Sequence, residues 1–311
     1  MRIRLCDRLT HDSSDEIAEA VRRLLRDCGI SGPPTPLEDL LNYRRLSRTI
    51  RPKDLVSTVA RRAGDAAKKF WQRLKQKVAG ILDLQSRHVL VNPQLHPRRQ
   101  EFVAFHELGH DVLAWHREIF VVTSEADLLP SAREVFNAEA NDFAAKAIFQ
   151  LDHLAQHQRG IRLAMTELAG LAAQYGASLT ATARHYVGVQ DIPVALVVGR
   201  RYAKGDMFGI AFRYGVGNEA FLREFDSGVM GWGFPPEAPS CATINLHAVD
   251  YIEDRLVVAD LRSERRELIV DTMFNGYETL TLVHPVPVRR PRKTAGSPLR
   301  SLLARARVRR R

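Results

Sequence analysis

The 311-residue sequence predicts an α+β protein. A mainly helical part with a small antiparallel sheet is expected over residues 1–190, and a β-rich domain over residues 191–288. Three observations carry this. In the first part, apolar residues recur at steps of three and four, the period of a helix with one buried side. A single β-rich run, ILDLQSRHVLVN (Ile81 to Asn92), interrupts them and is closed by Pro93. Beyond residue 190 come six short β-prone runs: Ile192–Val198, Phe208–Arg213, Ala242–Ala248, Arg255–Ala259, Glu267–Asp271 and Thr279–Val283. Asn275-Gly276 supplies a turn signal between them, and Phe234–Pro239 reads as a Pro-rich loop.

In chain order, Ser13-x-x-Glu16 is a capping box that opens a helix with Ile17, Val21, Leu24 and Leu25 on one face, stopped at Gly29. Pro36 takes the first position of the next helix, where its missing N–H costs nothing; Leu37, Leu40 and Leu41 form its buried side. Residues 54–78 read as a long amphipathic helix with a basic, solvated outer face. Ser131-x-x-Glu134, behind Pro130, starts a helix carrying Ala140, Ala144 and Ala147, small enough for close packing. Arg162 to Tyr175, ending near Gly176, and Leu179 to Val187, capped by Ser178, complete the helical part.

The chemistry concentrates in FVAFHELGHDVLAW, Phe102 to Trp115. His106 and His110, four apart on a helix, share a face and can bind one Zn²⁺. Glu107 lies a little to the side, where a general base for peptide hydrolysis belongs. Phe102, Val103, Phe105, Val112, Leu113 and Trp115 would pack this helix into a core, and Gly109 would let a neighbour come close. Two donors leave a catalytic zinc short by one. His116 has the spacing of the HExxHxxGxxH pattern, but Leu113 stands where that pattern has its turning glycine. A helix continuing through Leu113 would carry His116 off the metal face, so it is the weaker candidate. Glu139, on the Ala-rich helix downstream, is the favoured third ligand, with Asn141 or Asp142 able to accept the free N–H of a ligand histidine.

VLVN (Val89 to Asn92), RRQEFVAFHELGH (Arg98 to His110) and AEANDFAA (Ala138 to Ala145) resemble the ImmA/IrrE family of zinc metallopeptidases. The likeness extends more weakly to GISGPPTPLEDLLNYRRL and GASLTATARHYV, covering about the first 190 residues. The resemblance implies an intracellular, zinc-dependent endopeptidase with a zincin-like fold, its metal held by His106, His110 and Glu139, with Glu107 as base. It also implies protein substrates, helix-turn-helix transcriptional repressors among them, and a sensor or regulatory role for the C-terminal domain. The His116 segment departs from the family pattern. His116, Tyr43, Arg133 and Tyr186 are candidates to stabilise an oxyanion, His116 first. Residues Arg87 to Val91 are expected to form an edge strand that pairs with the substrate backbone. The competing reading is a non-proteolytic regulator whose metal site is structural and closed by four ligands, His116 included.

Composition narrows the classes. Ten of the 46 basic residues lie from Arg289 onward with no acidic residue among them; the rest of the chain holds equal numbers of each, 36. The net charge of +10 is therefore the property of a tail, residues 289–311, suited to a salt-sensitive contact with nucleic acid or an acidic partner. Three separated cysteines, Cys6, Cys28 and Cys241, suit a reducing compartment and neither a disulfide frame nor a cysteine metal site. No export signal or membrane span is legible, so a cytoplasmic location is expected. The GVG and GWG pieces lack the dinucleotide fingerprint, and no organic cofactor is expected.

Overall fold

The computed structural model describes residues 11–50, 79–122, 130–157, 161–204, 207–225 and 251–286. The amphipathic run at 54–78, the β-prone run Ala242–Ala248, the Phe234–Pro239 loop, Cys6, Cys241 and the basic tail lie outside these residues. The described chain is α+β, with a helical N-terminal part and a β-rich C-terminal region.

Helix α1 (His11–Asp27) starts earlier than its sequence signal, so Ser13 sits inside the first turn rather than capping it. Its face Ile17, Val21, Leu24 and Leu25 is buried as expected. It stops at Gly29, whose φ of +69° is open to a residue without Cβ; Gly176 (φ +69°) stops a later helix in the same way. Helix α2 (Leu37–Tyr43) begins one residue after Pro36, which is the cap and not the first helical position. Thr35 does not cap it. Its hydroxyl donates to the Ala147 carbonyl at 2.7 Å and accepts from Gln150 Nε2 at 2.8 Å, tying this corner to a distant helix.

Strands β1 (Ser47–Thr49), β2 (Gly80–Asp83) and β3 (His88–Val91) form a small sheet in the order β1-β3-β2. It is mixed rather than antiparallel, because β1 runs parallel to β3 while β2 runs antiparallel. Against it lies α3 (Pro97–Val112), on which α4 (Ala114–Val122) and α5 (Pro130–Phe149) pack, followed by α6 (Leu151–His157), α7 (Met165–Gln174) and α8 (Leu179–Gly188). Pro130 itself opens α5, so Ser131 is already helical and is no cap. Ser178 does cap α8, accepting from the Ala181 N–H at 3.1 Å.

The C-terminal region is a five-stranded antiparallel sheet, order β5-β4-β8-β7-β6. Its strands are β4 (Ala195–Lys204), β5 (Met207–Gly217), β6 (Tyr251–Ala259), β7 (Arg265–Phe274) and β8 (Thr279–Pro285), with α9 (Glu219–Glu224) after β5. The central strands are buried on both faces. Leu196, Val198, Leu280 and Leu282 join the helical core, while Ala195, Val197 and Val283 pack with Phe221, Phe225 and Leu268 on the other side. The period of two thus sends alternate residues into two cores. Asn218 fixes the junction with four bonds: it accepts from the Phe221 and Val194 N–H groups and donates to the Gln190 and Ile192 carbonyls. No helix of the described residues is long and apolar enough to cross a membrane.

Candidate metal centre

Helices α3 and α5 pack side by side, and the sequence explains how closely. Ala140, Phe143, Ala144 and Ala147 on α5 are fully buried. Opposite them on α3 is Gly109, where an added Cβ would lie 2.9 Å from the Phe143 ring, so the close approach is to an aromatic side chain. Val103, Phe105 and Leu113 are buried, and Phe102, Val112 and Trp115 pack against the same core, as the apolar flanks of the motif require.

This packing places Glu107 (7 % exposed), His110 (4 %) and Glu139 (6 %) in the interior. His106 Nδ1 faces Asn141 Oδ1 at 3.0 Å, His110 Nδ1 faces His116 Nδ1 at 2.8 Å, and His116 Nε2 faces Glu139 Oε2 at 2.7 Å. Trp115 Nε1–H donates to that same Glu139 oxygen at 2.9 Å. These partners fix the tautomers. A carboxylate only accepts, so His116 carries its proton on Nε2 and accepts at Nδ1. His110 must then carry its proton on Nδ1, and His106, facing an amide oxygen, does likewise. The two Nε2 atoms face each other 3.2 Å apart. The separation matches that of two ligands held about 2.0–2.1 Å from one tetrahedral ion, roughly 3.3 Å. The residues fit a divalent metal. Burial, with His106 and His116 nearby, pushes His110 down to about 2, so it is a neutral donor at any ordinary pH.

His116 reaches His110 because the helix does not continue. Leu113 is extended (φ −71°, ψ 110°), which ends α3, and α4 starts one residue later. The turn needs no glycine, since every L-residue adopts this region. His116 is fully buried with both nitrogens engaged, so it is no donor to an incoming oxyanion. Burial lowers its pKa while the Glu139 bond pulls the other way.

Other expected residues fall elsewhere. Glu139 turns Oε2 to Trp115 and His116, and among the described residues no three His, Cys, Asp or Glu side chains converge on one metal position. Glu139 is thus linked to His110 through the His116 ring. Asp142 accepts from Lys146 and, at 3.4 Å, from Ser14, joining α5 to α1; Asn141 alone meets a motif histidine. Tyr43 donates to Asp27 at 3.1 Å, and Tyr186 is buried inside α8. Arg87–Val91 is not an edge. Arg87 lies in the turn before β3, and β3 is the central strand; the edge beside Glu107 is β2.

Sequence reasoning missed two contributors. Trp115 was expected only to pack; a partly buried indole N–H needs an acceptor, which was the available signal. The other is Asp111, fully buried at the C-terminal end of α3, where the helix dipole disfavours an anion. Arg44 Nε (2.7 Å) and Arg87 neutralise it, and Arg44 also donates to its carbonyl at 3.1 Å. That clamp holds the histidine helix to α2 and the small sheet.

Residues 65–185 match the family model of Peptidase_M78, described as an IrrE N-terminal-like domain. No curated protein matches significantly. Among solved structures, one titled "Mycobacterium tuberculosis transcriptional regulator" superposes with a TM-score of 0.52 at 13 % identity. It covers 89 % of this chain and 91 % of that one. At that identity the likeness is one of fold, and it takes in helical part and sheet together.

Proposed function

Residues 65–185 place this chain in the ImmA/IrrE (IrrE N-terminal-like) peptidase family, and on that premise we propose that it is a zinc-dependent endopeptidase acting on a protein substrate. The observation that carries the reading is the pair of motif imidazoles whose Nε2 atoms converge to 3.2 Å, each ring held from behind by Asn141 or His116. His106 and His110 would hold the ion, and Glu139 would supply the third donor through the oxygen not engaged by Trp115 and His116. A bound Zn²⁺ there contributes Lewis acidity and a water of lowered pKa.

The chain's own groups do the rest. Glu107, buried beside the pair, takes a proton from the attacking water and returns it to the leaving amine. His116 orients His110 and Glu139 together, so one buried imidazole sets the direction of two donors. An extended substrate lies along β2, whose outer side has no strand partner among the described residues. A helix-turn-helix repressor is the substrate class, supported by the family. The basic tail, residues 289–311, is the segment suited to nucleic acid or an acidic partner.

The test is incubation of the full-length protein with the helix-turn-helix proteins encoded beside it, followed by intact-mass analysis. New fragments that vanish with chelator and with Glu107→Gln are expected. Whole-chain likeness in fold to a transcriptional regulator favours a second reading, a regulator that does not cleave. Biological activity undiminished in Glu107→Gln would establish that reading and end the first.

A further inference from the structure

Strand β2 passes so close to α3 that one of its residues has no room for a side chain. A Cβ on Gly80 would collide with Val103 Cγ1 and would lie 2.8 Å from Glu107 Oε1 and 3.2 Å from Glu107 Cγ. The glycine is not there to turn the chain, because its φ is outside the left-handed region. Nor is the strand free to retreat: Gly80 is in register with Val91 of β3, and the Asn92 N–H donates to the Ala79 carbonyl at 2.9 Å. Val91 is 2 % exposed, so the far side is packed as well. Of the two atoms in the way, Val103 Cγ1 belongs to a β-branched side chain stiff at χ1, whereas the Glu107 carboxylate is the end of a flexible one. A Cβ would displace both, and the carboxylate yields the more readily.

We propose that Gly80 is a positioning residue: its bare α-carbon leaves the Glu107 carboxylate its place between β2 and α3 while the strand stays against the helix. This rests on the reading of Glu107 as the base and adds a requirement on the strand facing it. The family match covers position 80 but assigns it no role.

The test uses full-length wild type, Gly80→Ala, Glu107→Gln, Val103→Ala and the Gly80→Ala/Val103→Ala double variant, each loaded with Co²⁺ as the probe. The visible spectrum is followed against pH, and the urea midpoint of each metal-free protein is measured. Gly80→Ala is expected to move the spectral midpoint by at least half the shift seen in Glu107→Gln, with Co²⁺ affinity within twofold of wild type. Val103→Ala in that background relieves the methyl collision and recovers part of the urea midpoint, but it leaves the spectral shift in place. A wild-type spectral midpoint in Gly80→Ala, or its return in the double variant, overturns the proposal and leaves Glu107 as base. Identical titrations for wild type and Glu107→Gln overturn the base assignment itself, and Gly80's role with it.

Discussion

The α3–α5 helix pair and the C-terminal sheet both bury polar side chains, but their networks end in different places. In the sheet, Thr272 and Thr281 bond each other across strands at 3.0 Å. Asp271 accepts the Met165 N–H at 2.7 Å, and Asn218 closes on four backbone groups. The Asn218 and Thr272–Thr281 bonds terminate on the protein, as buried polar groups generally do. Between α3 and α5 the chains Asn141–His106 and Glu139–His116–His110 run inward and meet at two imidazole nitrogens 3.2 Å apart. A network that closes on backbone holds a fold together; one that brings two imidazole nitrogens face to face is the arrangement proposed above to take an ion.

The largest effect expected from this contrast is on chemistry alone. Glu107→Gln should lower cleavage by about 10²- to 10⁴-fold while zinc content and thermal unfolding stay as in wild type. Loss of metal in that variant would break the assignment of Glu107 as a base. On the sheet side, Phe221→Ala empties a fully buried position and should cost about 3–5 kcal/mol in urea unfolding. Zinc affinity in the surviving folded protein should be unchanged; a parallel drop would show that the regions are not separable. His116→Ala should weaken zinc binding by about 10- to 100-fold in a competition titration, with Trp115→Phe well below that.

The smallest effect is one of pH. Burial raises Asp271 to about 6 from an ordinary 3.8, so the folded state keeps a proton that the unfolded chain has released. That contribution to stability is present below the ordinary value and is lost as pH rises through about 6. His185, stacked on Phe149, is pushed by burial down from 6.5 to about 4, so its contribution is present above 6.5 and is lost as pH falls through 4. The two oppose each other between 4 and 6. Asp271→Asn should leave the histidine trend unopposed and steepen the acid-side fall of the urea midpoint; an unchanged slope would remove Asp271 from the balance.

How much of this was legible depends on sequence distance. HExxH, the Ala-lined face around Glu139 and the alternating strands are local patterns, and the structure repeats them with shifts of a residue or two at the caps. The small sheet was misread because strand order is set by non-local pairing: nothing in Arg87–Val91 says that β1, some forty residues earlier, covers one side of it. The Asp111 clamp was invisible for the same reason, its arginines lying 67 and 24 residues away. For His116 only the premise of an unbroken helix failed, since a single extended residue at 113 ends α3 before it.

That residue has a further consequence. Leu113 bends the chain with an ordinary backbone while its side chain is wholly enclosed. The corner is therefore kept by a wedge of hydrocarbon and not by a permissive hinge. Trimming the wedge would loosen the aim of an imidazole three residues on without altering a single donor atom, and a glycine there would make the bend softer instead of truer.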